Sequence, residues 1–501
     1  MTDNNQPNHH WKTLDRDLGR IAALETATSY IAKPMVGLGI SLVFVVVASL
    51  VATLLFGEEN TRWIVVLAAA VGAYMALNIG ANDVANNMGP AVGAKALTMG
   101  GAIVIAAIFE SAGALLAGGD VVSTISKGIV SPESVSGPGI FIWAMMAALL
   151  SSALWINLAT WVGAPVSTTH SIVGGVMGAG IAAAGFGAVN WPTMGSIAAS
   201  WVISPILGGV IAAAFLAFIK TFIIYQDDKI AAARRWVPVL VAIMAGAFAA
   251  YLALKGLSKL IKIDLGNALL IGLVVAVLSY FLSAPIIKRK SVGLENRNKS
   301  LKVLFGLPLV ISAALLSFAH GANDVANAVG PLAAIVHAAE TGGEFAGKVH
   351  IPLWVMVIGA FGISVGLVLF GPKLIRMVGS QITKLNPMRA YCVALSAAIT
   401  VIIASWLGLP VSSTHIAVGA VFGVGFFREY YTRRSKRRRE MVTAGSNAPE
   451  EAPLPPEVLR HRKLVRRSHF ITIVAAWVIT VPATALLSAT VFFILNATIT
   501  L

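Results

Sequence analysis

"GANDVANNMGP" at residues 80–90 and "GANDVANAVGP" at residues 321–331 are two copies of one undecapeptide, and both lie in strongly apolar surroundings. Each copy carries a carboxylate and matching carboxamides: Asn82, Asp83 and Asn86 in the first, Asn323, Asp324 and Asn327 in the second. The chain around them is 57% hydrophobic and 12% charged, with a mean hydropathy of +0.82. Those values lie far outside the range of soluble domains and define a polytopic membrane protein. An ionised side chain near the bilayer centre costs about 3 kcal/mol or more, so such residues are expected to be functional. Here that cost is incurred twice, at matched positions.

The net charge of +15 does not imply a nucleic-acid partner. Lys and Arg concentrate between apolar segments, above all at 288–302 and 428–467, where the positive-inside rule places them on the cytoplasmic face of the plasma (inner) membrane. The opening "MTDNNQPNHHWKTLDRDLGR" has no apolar stretch after a basic start, so no cleavable signal peptide is expected. Cys392 is the only cysteine, which excludes an intrachain disulfide and argues against a thiolate metal site.

Apolar runs near 20 residues predict spans at 35–57, 62–80, 99–118, 139–160, 196–224, 236–254, 265–287, 303–320, 351–372, 389–407 and 470–495. Two more apolar stretches, 163–186 and 408–427, open with Pro, Ser, Thr and His. The two basic segments fall on one side only if 408–427 makes a net crossing. Extending that role to 163–186 gives about 11–13 membrane-crossing elements in an all-α protein, with the C-terminus outside.

A second repeated motif follows the first. "WVGAPVSTTHSIVGGVMGAG" starts at Trp161 and "WLGLPVSSTHIAVGAVFGVG" at Trp406, an offset close to that of the GANDVAN pair. Two motifs in one order at nearly constant offset indicate a duplicated unit. The expected organisation is a polar cytoplasmic tail (1–34), an extra transmembrane helix (35–57) and a first repeat (62–224). Linking helices with a basic loop (225–302) then lead to a second repeat (303–497) holding a flexible basic insert (428–469). The crossing count makes the repeats inverted in topology, the plan by which secondary transporters place a site at mid-membrane.

The chemistry of the two motifs is complementary. Pro165 and Pro410 interrupt helix, and the Ser and Thr residues after them are good N-caps, so a broken or re-entrant helix is expected to begin inside the membrane. Its free N–H groups, its hydroxyls and its dipole attract an anion. Asp83 and Asn86 share a helix face, and Gly80 and Gly321 permit a break or a close backbone approach. Carboxylate and carboxamide oxygens suit Na+ or a proton rather than an anion alone. The pairing predicts cation-coupled anion transport. A lone Ser/Thr cluster is usually bonded to its own helix or used between helices, and a lone Asp–Asn pair can be structural. Recurrence of both motifs in both halves weighs sharply against those readings.

His170 and His415 either brace their turns or take part in proton movement. Glu110 is a further intramembrane acid, a candidate gate or cation site of one repeat only, with Gly362 at the corresponding place in the second half. Lys95 and Lys127 are expected to snorkel from span ends. Gly-rich faces offer contacts for a homodimer in the lipid bilayer.

At these residues the sequence resembles the inorganic phosphate transporter (PiT) family, whose signature is a repeated "GANDVANA" in two inverted halves. The resemblance covers residues 62 to 497; Gly321 to Ala328 matches the signature fully, and the first copy departs from it at Asn87. It implies secondary active symport of inorganic phosphate with Na+ or H+, no catalytic residues and no bound cofactor. Carried over, phosphate contacts fall on Ser167, Thr168, Thr169, Ser412, Ser413 and Thr414 with Asp83 and Asp324. Cation contacts fall on Asn82, Asp83, Asn86, Asn323, Asp324 and Asn327, with Na+ expected at the acids and at Asn86 and Asn327. A sulfate symporter on the same cradle is the main alternative; an anion channel or an intramembrane hydrolase is more remote. Aspartates would repel a permeating anion, and two equivalent sets of Ser/Thr, His and Asp serve no single nucleophile.

Overall fold

The computed structural model describes residues 35–162, 166–256, 261, 263–342, 349–381, 385–434 and 467–498. The N-terminal tail, Pro165 and most of the basic insert therefore lie outside the described residues. What is described is helical, and its only β-type pairing is the isolated contact between Val130 and Val189.

Helix α1 (Met35–Leu55) precedes α2 (Arg62–Gly93), α3 (Met99–Ala117) and the short α4 (Gly119–Ser123), which runs on as one π-helical turn to Gly128. Then come α5 (Pro138–Val162), α6 (Thr168–Ala184), α7 (Trp191–Ile219), α8 (Lys229–Lys255) and α9 (Leu265–Lys290). The second half holds α10 (Asn298–Leu304), α11 (Gly306–Asp324), α12 (Ala326–Thr341), α13 (Leu353–Gln381), α14 (Pro387–Trp406), α15 (Ser413–Arg434) and α16 (Arg467–Thr498). Among the described residues, eleven helical stretches are long and apolar enough to cross a membrane, α11 and α12 counting as one, and each overlaps a predicted span.

Helix ends follow local chemistry. Asp228 starts α8 by accepting from the N–H groups of Ile230 and Ala231, Asp264 starts α9 through Asn267, and Asn386 before Pro387 starts α14. Lys288, Arg289 and Lys290 close α9, where cations suit the negative end of the helix dipole.

Two expectations need correction. The spans predicted to stop at residues 80 and 320 continue through the motifs: α2 runs unbroken to Gly93, and α11 passes into α12 with a single interruption at Val325. Apolar-run counting ends a span at the first polar cluster, whereas these helices carry theirs inside protein. Gly80 and Gly321 accordingly serve close approach and not a break. A Cβ at Gly80 would strike the carbonyl of Ile363, and one at Gly321 the carbonyl of Glu110. The counterpart of Glu110 is thus Ile363, one position beyond Gly362.

These contacts are reciprocal between the halves. Gly113 of α3 abuts the Phe318 carbonyl of α11, and Gly366 of α13 abuts the Leu77 carbonyl of α2. The hydroxyls of Ser111 and Ser364 meet at 2.6 Å between α3 and α13, and each also reaches the other helix's backbone, at Ala360 and Ala107. Further out, Gly174 of α6 packs on Val481 of α16, and Gly419 of α15 packs on Pro205 of α7. Each half therefore supplies the packing surface for the other half's motif helix and for its Ser/Thr helix. Small residues make this possible, since in lipid helices associate through close packing and not by expelling water.

Candidate ion and anion site

The Ser/Thr helices meet at their N-termini, inside the molecule. Ser167 caps α6 by accepting from the His170 N–H at 3.2 Å, and Ser412 caps α15 by accepting from the His415 N–H at 3.3 Å. Both helices run antiparallel to their predecessors as hairpins; α6, for example, packs Gly175 on Ala148 and Ser152 of α5, and the Ser152 hydroxyl donates to the Ser171 carbonyl. Two helix N-termini therefore converge where α2 and α11 present their motifs.

Asp83 and Asp324 are both 1% exposed. Thr168 donates to Asp83 Oδ2 at 2.9 Å, and Thr414, from the other half, donates to Asp83 Oδ1 at 3.3 Å. Asn86 donates to Thr414 at 2.8 Å, and Asn327 donates to Thr168 and Thr169 at 3.4 and 3.3 Å. Ser413 donates to Asp324 Oδ2 at 3.4 Å. The predicted residues thus interlock across the two halves, each hairpin bonded to the other half's carboxamide.

Other predicted residues brace this centre. Asn82 donates to Thr160 at 2.9 Å, and its counterpart Asn323 donates to Ser405 at 2.9 Å while accepting from the Val411 N–H at 3.2 Å. Thr169 spends its proton on the Val411 carbonyl at 3.0 Å. The His170 and His415 rings lie 4.5 Å apart behind the hairpin tips, with His170 edge-on to Trp201 at 3.8 Å.

One residue at the centre was missed. His320 is fully buried, with Nε2 2.9 Å from Asp324 Oδ2 and 3.8 Å from Asp83 Oδ2, and with Nδ1 3.4 Å from Glu110 Oε1. Asn87 donates to the same Glu110 oxygen at 2.8 Å. Asn87, Glu110 and His320 are the polar members of three pairs whose counterparts, Ala328, Ile363 and Ile79, are apolar. The signal was present in the sequence: the residue before "GAND" is Ile in one copy and His in the other.

Single atoms of Asp83, His320 and Asp324 lie within 4.8 Å of one another, close enough to share one cation. Among the described residues, the buried Asp324 Oδ1 and Asn327 Oδ1 have no donor, and neither do Asn87 Oδ1 and Glu110 Oε2. Buried oxygens are normally satisfied, and these are hard-oxygen acceptors that fit a small cation or a protonated oxyanion. The two edges of the site also differ. Asn82 and Asn86 are half-buried, whereas Asn323 and Asn327 are sealed. On the sealed side Thr124, in the π-helical turn, donates to the Gly408 carbonyl at 2.7 Å and ties down the approach to the second hairpin. Gly408 takes a φ of +68°, a left-handed conformation that favours glycine.

The family model for the Phosphate transporter family matches residues 79–488. A Helicobacter pylori protein assigned as a phosphate permease is 47% identical over 527 aligned residues, covering 96% of this chain and 99% of its own. The Arabidopsis thaliana "Inorganic phosphate transporter 2-1, chloroplastic" is 39% identical and covers 74% of this chain and 68% of its own. A solved structure titled "The sodium-dependent phosphate transporter" superimposes with a TM-score of 0.77 at 35% identity, covering 87% of this chain and all of that one. The resemblance read from the motifs is borne out along most of the chain: this multi-pass membrane protein belongs to the phosphate transporter family.

Proposed function

We propose that the chain is a symporter that imports inorganic phosphate with Na+ across the plasma membrane by alternating access, the two halves being inverted repeats. The observation that carries this reading is the shared centre, where hydroxyls at two opposed helix N-termini converge on Asp83 and Asp324. Helix N-termini and hydroxyls bind an oxyanion, and its oxygens accept from them. The carboxylates oppose that anion until a cation lies between. At a separation of about 5 Å and an effective dielectric near 20, two like charges repel by about 3 kcal/mol, worth about 100-fold in affinity. Cation and phosphate therefore favour each other's binding through electrostatics alone, which is what coupling requires.

Phosphate is favoured over sulfate because it retains a proton that can be donated to Asp324 Oδ1 or Asn327 Oδ1, both without a donor. Sulfate at neutral pH has only acceptors. The structural relative is named for sodium dependence, which supports Na+ over H+. One half-buried edge and one sealed edge suit a carrier that opens to one side at a time. The reciprocal packing of the halves supports their inversion.

The test is equilibrium phosphate binding to purified protein in Na+ and in choline. Na+ should tighten phosphate about 100-fold, and phosphate should tighten Na+ by the same factor. Equal phosphate affinity in both media would dismiss the shared cation. Competition by sulfate at equal concentration would reopen the substrate.

A further inference from the structure

A cleft of about 1340 Å³ lies between α7, α15 and α16, directly behind the two hairpin tips. Its deep end is formed by His170, Trp201 and His415, and its walls by apolar side chains such as Val210, Phe422 and Phe426. Helices α7 and α15 run side by side in the same direction here, with Pro205 against Gly419 and Gly209 against Gly423. The cleft follows them to Tyr430. There it adjoins a second hollow lined by Phe426, Glu429, Tyr430 and Arg434. This end carries more basic than acidic groups: Arg434 in the hollow and Lys220, whose Nζ lies 5.4 Å from the ring centre of the lining Phe427 and 4.2 Å over the Tyr431 ring, against Glu429.

We propose that this cleft is a binding site for an acidic phospholipid, with one acyl chain lying along α15 toward His415 and the headgroup at the Arg434 end. The lining argues for the chain, since an apolar space inside a set of membrane spans is filled by lipid rather than by water. The basic end argues for the headgroup. Cationic pockets between transmembrane helices on the cytoplasmic side select anionic lipids, and the positive-inside rule assigns this end to that side. His170 and His415 directly follow the hydroxyl clusters of the two hairpins, so a chain in the cleft ends against the backs of the hairpin tips.

The full-length protein, solubilised from vesicles of equal phosphatidylglycerol and phosphatidylcholine, is examined by native mass spectrometry for retained lipid. Wild type is expected to retain phosphatidylglycerol several-fold over phosphatidylcholine. Val210→Trp, which fills the cleft from a cleft-lining position 60% exposed, should lose that retention. Arg434→Glu should keep a retained lipid but lose the headgroup preference, and it decides the matter should Val210→Trp fail to fold. Equal retention of both lipids by wild type would overturn the proposal, as would retention unchanged by both variants, the signature of annular lipid. Phe426→Cys forming a disulfide-linked dimer in lipid-replete vesicles would overturn it too, because a second copy would then cover the cleft.

Discussion

Thr168 and Thr414 reach Asp83 from two different hairpins, and that residue-scale fact separates binding roles from bracing roles. Asp83→Asn and Asp324→Asn keep the shape of the site but remove the charge that requires a cation. Each is expected to reduce cation-driven phosphate accumulation by about 100-fold with membrane expression retained. Near-normal accumulation by either variant would take that carboxylate out of the coupling. The hydroxyls divide by geometry. Thr168→Ala should raise the KM for phosphate, because it removes a hydroxyl that donates to Asp83 and accepts from Asn327. Ser412→Ala removes a helix cap, worth about 1 kcal/mol, so thermal stability should fall and Ser412→Asn should restore it. Equal KM effects without a stability difference would erase the distinction. Of the predicted motif residues, Asp83, Asn86, Thr168, Asp324, Asn327, Ser413 and Thr414 are bonded to one another at the centre, and the others cap or brace it; all were found because the duplication marked them. His320 escaped notice for the opposite reason: it has no polar partner across the repeat, and a lone histidine before a motif gives no periodic signal.

At the scale of elements, glycine positions the site. The backbones at Gly80 and Gly321 touch the neighbouring helices, and a methyl group has nowhere to go. Gly80→Ala should cost about 1–3 kcal/mol from overpacking and lower the melting temperature in detergent. Gly100→Ala, on α3 with open space around it, should be neutral or slightly stabilising. A tolerated Gly80→Ala would mean that the α2–α13 approach is looser than described. Span positions were legible because transmembrane helices must satisfy their backbone internally and so declare themselves as long apolar runs. Their true ends were not, since a polar cluster facing protein and one facing water look alike in a single sequence. The same limit hid the π-helical turn at Thr124–Gly128, whose role is set by a contact to Gly408 that lies far along the chain.

At the scale of the whole molecule the account requires the halves to face opposite ways. Glu58 precedes the first motif helix and Glu295 the second. On a Cys392→Ala background, which removes only a fully buried thiol, Glu58→Cys should label with a membrane-impermeant maleimide in intact cells. Glu295→Cys should label only after lysis. Labelling of both from outside would make the repeats parallel. Membrane class and duplication were readable from composition and motif spacing. The interleaving of the halves was not, because it rests on small-residue contacts that carry no signal until the helices are in place.

The most direct test of the central claim is radiolabelled phosphate uptake into proteoliposomes under an imposed Na+ gradient or an imposed pH gradient, each with excess sulfate. The account predicts concentrative uptake driven by Na+, abolished by a Na+ ionophore and insensitive to sulfate. Uptake driven by the pH gradient alone, or no accumulation under either gradient, would contradict it.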